Sequence, residues 1–181
     1  MSKSVLISVQ PKFSRLIASG KKTVEVRKSK PKLETPFKCY IYETKGLYKG
    51  AGGYLFRGSG KVIGEFICDY ITSFKAMGEM QALWNETQNT CLTRYEIIKY
   101  AKGKRLYYWH ISDLVIYDKR KELSRFYTDC KMNCEYCEMW GSVRVNAEEF
   151  DMDCKSDWFN HKPLKRPPQS WGYVEEVNYE D

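Results

Sequence analysis

The sequence predicts an α+β fold: short strands of mixed direction closing into a small β-barrel, with short helices on its flanks. Three observations point there. Strand-length apolar or alternating segments outnumber helical ones. They follow one another in runs instead of alternating with long helices, which argues against a doubly wound βαβ sheet. The helical segments are short enough to plug or flank a barrel, and closure removes exposed strand edges. A length of 181 residues suits one domain over 1–181, with a Cys-rich insertion at 127–162.

Val5-Leu-Ile-Ser-Val9 reads as a first buried strand. Pro11 stands where the first turn of a helix has no use for an N–H. Phe13, Leu16 and Ile17 then share one face of a short helix, and Gly20 is its natural stop. Thr23-Val-Glu-Val-Arg27 alternates strictly, so Val24 and Val26 face a core and Thr23, Glu25 and Arg27 the opposite side. Pro31 to Pro36 is a turn, and 37–42 a strand. Residues 44–60, with their glycines, form a flexible loop or long hairpin. Lys61 to Ile71 is a strand. Residues 75–84 and 93–101 look helical, the second with Thr93 and Glu96 in a capping-box pattern. Tyr107 to Tyr117 returns to strand, 119–126 is a helical turn, and Trp171 to Glu175 is the last strand.

The net charge of +7 is uneven. Residues 1–61 carry 14 Lys and Arg against 3 acids, whereas 62–181 carry 16 against 20. A segment this one-sided attracts phosphates and polyanions; the plain alternative is a solvated Lys-rich surface. No apolar run approaches membrane-spanning length, so no membrane partner is expected. Met1-Ser-Lys-Ser-Val-Leu-Ile-Ser8 lacks the apolar stretch of a signal peptide, which implies a cytoplasmic location and reduced thiols.

The candidate site is the strip after Gly20. Lys21, Lys22, Thr23, Glu25 and Arg27 can converge at a barrel mouth. Lysine offers a compact positive charge, glutamate accepts donors from a base edge or takes a proton, and arginine forks onto phosphate or stacks on a base. Read alone, the same alternation also suits a solvated face with a cross-strand ion pair. Pro167-Pro168 stiffens the approach to the last strand, which makes Gln169, Ser170 and Trp171 candidate lining residues. His110 reads as structural.

Seven cysteines fall in two groups. Cys39, Cys68 and Cys91 lie in strand or helix-start contexts and read as core thiols. Cys130, Cys134 and Cys137 form a Cys-x3-Cys-x2-Cys cluster, followed after sixteen intervening residues by Cys154. Four thiolates suit a closed, structural zinc site, with His161 the alternative fourth ligand; otherwise the three clustered thiols sit in a surface loop. A long insertion without periodicity needs an ordering device of this kind.

The stretch from Val5 to Arg27 resembles the opening motif of the ASCH domain family, a branch of the PUA-like superfamily. That pattern is a strand, a helix ending in Gly, then Lys-Thr, a polar or acidic residue, and Arg. Gly60-Lys-Val-Ile-Gly-Glu-Phe66, His110-Ile-Ser-Asp-Leu114 and Pro167-Pro-Gln-Ser-Trp-Gly-Tyr173 add to the similarity, which covers most of 4–126 and 163–176. The resemblance implies a PUA-like mixed β-barrel with a cleft for RNA or a modified nucleoside, DNA being possible. It points to proteins of bacterial or phage type with a regulatory role. Some small ASCH proteins are amidohydrolases of N4-acetylcytidine that use a Lys and a Thr of this motif and a Glu ahead of a helix; others are associated with ribonuclease activity. Lys22 matches the Lys. The Thr position falls at Glu25, with Thr23 two residues earlier, and the Glu position falls near Gln88, with Glu86 close by. Two of three catalytic positions depart from the pattern. Binding is therefore the first expectation. A hydrolase using Lys22 and Glu25 is the second, and a protein-interaction module the third.

Overall fold

The structure, a computed structural model, describes residues 3–49, 53, 55–75, 87–128 and 163–176. The chain runs β1 (Ser4–Val9), α1 (Pro11–Ala18), β2 (Val24–Arg27), β3 (Phe37–Glu43), β4 (Gly46–Lys49), β5 (Leu55–Gly58), β6 (Val62–Lys75), α2 (Arg94–Ala101), β7 (Arg105–Lys121), β8 (Phe126–Thr128) and β9 (Trp171–Glu176). Seven strands form one sheet in the order β2-β7-β6-β3-β1-β9-β8, and β4 and β5 pair apart as a hairpin. Only β1 and β3 run parallel; the connection between them carries α1 and β2. The sheet is thus mixed, as expected. Among the described residues its backbone order is linear, with β2 and β8 at the ends, so full closure into a barrel is not seen. A side chain bridges the curl instead: Arg27 on the end strand β2 donates from Nη2 to the Ser8 carbonyl on β1, third from the other end, at 2.9 Å.

Local chemistry sets the elements around the candidate site. Pro11 opens α1, and Ile17 is fully buried under the sheet. Gly20 takes φ +71°, a left-handed conformation that favours glycine, and turns the chain into β2. Lys22 N–H then bonds back to the Leu16 carbonyl at 3.0 Å. α2 begins with the capping box read from the sequence: Thr93 Oγ1 accepts from Glu96 N–H, and Glu96 Oε2 accepts from Thr93 N–H at 2.8 Å. It ends at Lys102 in the left-handed region.

The core has three parts. Val5, Ile7, Ile17, Ile41, Phe66 and Trp109 fill the inside of the curl. Val24 and Val26 pack outward against Ile97 and Ala101 of α2, with Leu106 and Tyr108 beside them. Leu6, Tyr40, Tyr42, Phe126 and Val174 close the far side. Cys39 and Cys68 are buried thiols, as expected, and Cys91 is half-buried.

Several boundaries differ from the sequence reading. β6 and β7 run well past 71 and start before 107, because Phe74 pairs with Leu106 and its ring meets Tyr108 at 5.6 Å. Residue 75 is therefore strand; the remainder of the helix expected at 75–84 lies outside the described residues. Residues 119–121 continue β7, and the helical turn shrinks to Leu123–Arg125. Phe126 then buries its ring on Tyr40 and begins the unexpected β8. The Cys-rich insertion lies largely outside the described residues.

Candidate functional site

All four residues of β2 are buried, although the sequence suggested one polar face at an open mouth. The reason is that β2 is covered on both sides. Its valines lie under α2, while Glu25 pairs in register with Trp109 of β7 inside the curl. A buried charge survives only with partners, and here the partners are in place. Lys22, 2% exposed, donates from Nζ to the carbonyls of Val24 at 2.7 Å and Thr90 at 2.8 Å. Its Nζ lies 3.2 Å from Glu25 Oε2. Glu25 Oε1 meets Arg27 Nη2 at 3.0 Å. Arg27 Nη1 reaches the carbonyl and hydroxyl of Ser170 at 3.3 and 3.4 Å.

The predicted strip therefore splits. Lys22, Glu25 and Arg27 come together as one buried cluster, and Ser170 joins it. Lys21 and Thr23 are exposed. The Lys21 carbonyl accepts from Cys91 Sγ, and Thr23 N–H bonds the Asn89 carbonyl. Trp171 sits half-buried with its ring 6.0 Å from Trp109, and its indole N–H donates to Ser29 Oγ at 3.0 Å. Gln169 and Gln88 are exposed. Glu86, Cys130, Cys134, Cys137, Cys154 and His161 lie outside the described residues.

The cluster holds two cations and one anion, so it carries one net positive charge inside the protein. Among the described residues, three of its buried polar atoms have no hydrogen-bond partner: Glu25 Oε2, Arg27 Nε and Trp109 Nε1. The 3.2 Å approach of Lys22 to Oε2 is an ion pair without hydrogen-bond alignment. An acceptor and two donors thus stand unsatisfied around Trp109 and Trp171. Buried donors and acceptors of this kind call for complementary partners, which ordered water or a ligand can supply. Neighbouring groups feel the same charges. Burial pushes the Cys39 thiol well up, with Cys68 adding to it and Arg27 opposing. Burial also raises Tyr100, against the charge of Arg27 and with that of Glu25.

Sequence reasoning missed Trp109, Thr90, Ser8 and Tyr100. Trp109 was detectable in principle, since antiparallel pairing of 24–27 with the strand at 107–117 sets an indole opposite Glu25. The carbonyls of Thr90 and Ser8 carry no side-chain signature.

A model of the ASCH domain matches residues 7–155. The chain belongs to the ASCH domain family. No curated protein matches it by sequence. Among solved structures, the ASCH protein of Zymomonas mobilis is similar at a TM-score of 0.57 and 20% identity, covering 96% of this chain and 88% of that one. A tyrosine-to-phenylalanine variant of the same protein gives a TM-score of 0.57 at 19% identity, with 96% and 91% covered. These likenesses support the fold. Membership in the ASCH family supports nucleic-acid binding at family level. Among the described residues, no helix is long and apolar enough to cross a membrane.

Proposed function

We propose that this ASCH protein binds RNA or a modified nucleoside at the cluster of Lys22, Glu25 and Arg27. The observation that carries the reading is the set of three buried atoms without a hydrogen-bond partner, Glu25 Oε2, Arg27 Nε and Trp109 Nε1, in a buried cluster with one net positive charge. A base edge supplies both donors and acceptors, and Trp171 offers it an aromatic neighbour. A structural ion cluster alone gives no reason to leave three buried polar atoms without a hydrogen bond.

The test uses two variants, one that deletes a single donor and one that replaces the guanidinium fork. Trp109→Phe deletes the indole N–H, and Arg27→Lys deletes Nε while keeping the charge. Each lost bond to a charged or fully buried partner should weaken binding of a short RNA or a nucleoside by about 10- to 100-fold. Unchanged affinity in both folded variants would sink the reading, and a protein recovered on pull-down instead would favour an interaction module.

Hydrolysis is the second reading, favoured by the 3.2 Å approach of Lys22 to Glu25. It ranks lower because Lys22 Nζ is turned toward two carbonyls and Thr23 is exposed. Intact N4-acetylcytidine after long incubation with pure protein would remove it.

A further inference from the structure

The β4–β5 hairpin stands apart from the seven-stranded sheet, and its two faces differ. Tyr48 and Phe56 form one face; their rings lie 6.3 Å apart. That face is anchored: the Arg15 guanidinium of α1 lies 4.3 Å over Phe56, and Tyr48 Oη shares a hydrogen bond with Thr44 Oγ1 at 2.8 Å. The base of the hairpin is fixed as well. A Cβ on Gly58 would fall 1.9 Å from the Thr44 carbonyl and 2.6 Å from Pro11. The buried carboxylate of Glu43 accepts from Ser59 N–H and from Ser14 Oγ, both at 2.8 Å.

The other face is turned to solvent. By strand alternation and register it carries Leu47, Lys49, Leu55 and Arg57. Leu47 is 62% exposed and Leu55 64% exposed. Among the described residues, no packing accounts for two large apolar side chains this open, set between cations. At the hairpin base a cavity of about 360 Å³ is lined by Lys45, Leu47, Arg57, Ser59 and two glycines. The stem of Lys45 lies where a side chain on Gly60 would be. The sequence from Thr44 to Gly64 has four basic residues and no acid.

We propose that this outer face is a second nucleic-acid contact, gripping single-stranded phosphodiester backbone beyond the buried pocket. Lys45, Lys49 and Arg57 neutralise phosphates, and Leu47 and Leu55 lie against unstacked bases. The inference rests on the nucleic-acid reading of the pocket. Geometry links the two sites. α1 carries Arg15 against the hairpin and Phe13 5.6 Å from Lys22 Nζ, and eight residues of helix span only about 12 Å. A strand of a few nucleotides leaving the pocket can reach the hairpin. A polyanion fits the acid-free face by charge.

The test compares wild type with Lys45→Gln/Lys49→Gln/Arg57→Gln and, separately, with Leu47→Asn/Leu55→Asn, each checked for an unchanged melting curve. Binding of single-stranded RNA, single-stranded DNA and duplex RNA is measured across a salt series. Loss of three phosphate contacts should reduce the slope of log affinity against log salt by about 2 for a single strand. The leucine variant should lose affinity equally at every salt, with its slope unchanged. RNA and DNA arms show which backbone is preferred. Wild-type protein that binds neither nucleic acid nor a nucleoside overturns the reading of the buried cluster and this one together, and wild-type protein that binds a nucleoside but no strand overturns this inference alone. Wild-type binding with an unaltered slope in the triple variant overturns this inference alone. A triple variant that keeps nucleic-acid affinity but loses binding to phosphatidylserine vesicles assigns the face to a membrane surface and also overturns it.

Discussion

Glu25→Ala is the sharpest perturbation of the cluster. Among the described residues it removes the only carboxylate between Lys22 and Arg27, and it leaves two cations more than nine-tenths buried. Breaking a buried pair by deleting one partner costs about 3–5 kcal/mol. The lower end applies here. Lys22 keeps its two carbonyl acceptors, and Arg27 keeps Ser8 and Ser170. A loss of about 3 kcal/mol in a domain of this size lowers Tm by about 6–12 °C. The assay is urea unfolding followed by tryptophan fluorescence, which Trp109 and Trp171 should report. The midpoint should fall while the m-value stays constant. The companion variant, Lys22→Met/Glu25→Leu/Arg27→Met, removes all three charges together. It should lie within about 1–2 kcal/mol of wild type or above it, since a well-packed apolar replacement escapes the desolvation cost. A Glu25→Ala variant less than about 1 kcal/mol down, with an unchanged m-value, would show that the charges are not buried as described and refute the reasoning.

Three further outcomes are expected. Burial pushes the Glu43 carboxyl up, but hydrogen bonds from Ser59 and Ser14 and the charge of Arg120 outweigh it, leaving Glu43 below its ordinary value of 4.5. Its folded-state value is depressed, so its stabilisation is present above the ordinary value and is lost as pH falls through the folded one; Glu43→Gln should flatten the acid limb of stability against pH, and an identical limb would disprove the assignment. Gly58→Ala drives a methyl group into the Thr44 carbonyl and should cost about 2 kcal/mol or more, read as a drop in Tm; a neutral result would mean that the hairpin base is not clamped. If Cys130, Cys134, Cys137 and Cys154 hold a structural zinc ion, protein purified without chelator should carry about one equivalent of metal and lose it in Cys137→Ser, and less than about half an equivalent argues against the site.

What could be read from the residues followed the range of the interactions. β1, α1 and the capped α2 came from local signals: apolar runs, Pro11, Gly20, and the Thr93–Glu96 pair. The nearness of Glu25 and Arg27 was legible because strand alternation sets them on one face; Lys22 has the parity of the valines and meets Glu25 only through its long side chain just after the turn at Gly20. Their burial was not. The depth of β2 depends on α2 packing on one side and Trp109 on the other, contacts made more than 70 residues away along the chain. The lengths of β6 and β7 were underestimated for the same reason, since the pairing of Phe74 with Leu106 is a property of two strands together. The linear order of the sheet, against the expected closed barrel, also lay beyond local pattern. Charge asymmetry was visible in the sequence, but its concentration on one face of the β4–β5 hairpin needed the register.

The first and last strands lie side by side, β1 against β9, with Ser4 opposite Val174. The Ser8 hydroxyl bonds the Pro168 carbonyl across 160 positions of chain, and Arg27 waits on Ser170 in the same way. During synthesis at about 5–20 residues per second, one edge of β1 therefore stays bare for roughly 8–30 seconds after it leaves the ribosome. Through that interval the guanidinium has only part of its final company, and the Lys22–Glu25–Arg27 cluster is half built. The ribosome's schedule makes β9 the keystone: the cluster is completed in a single late step, and a chain stalled or clipped before β9 presents an apolar strand edge instead.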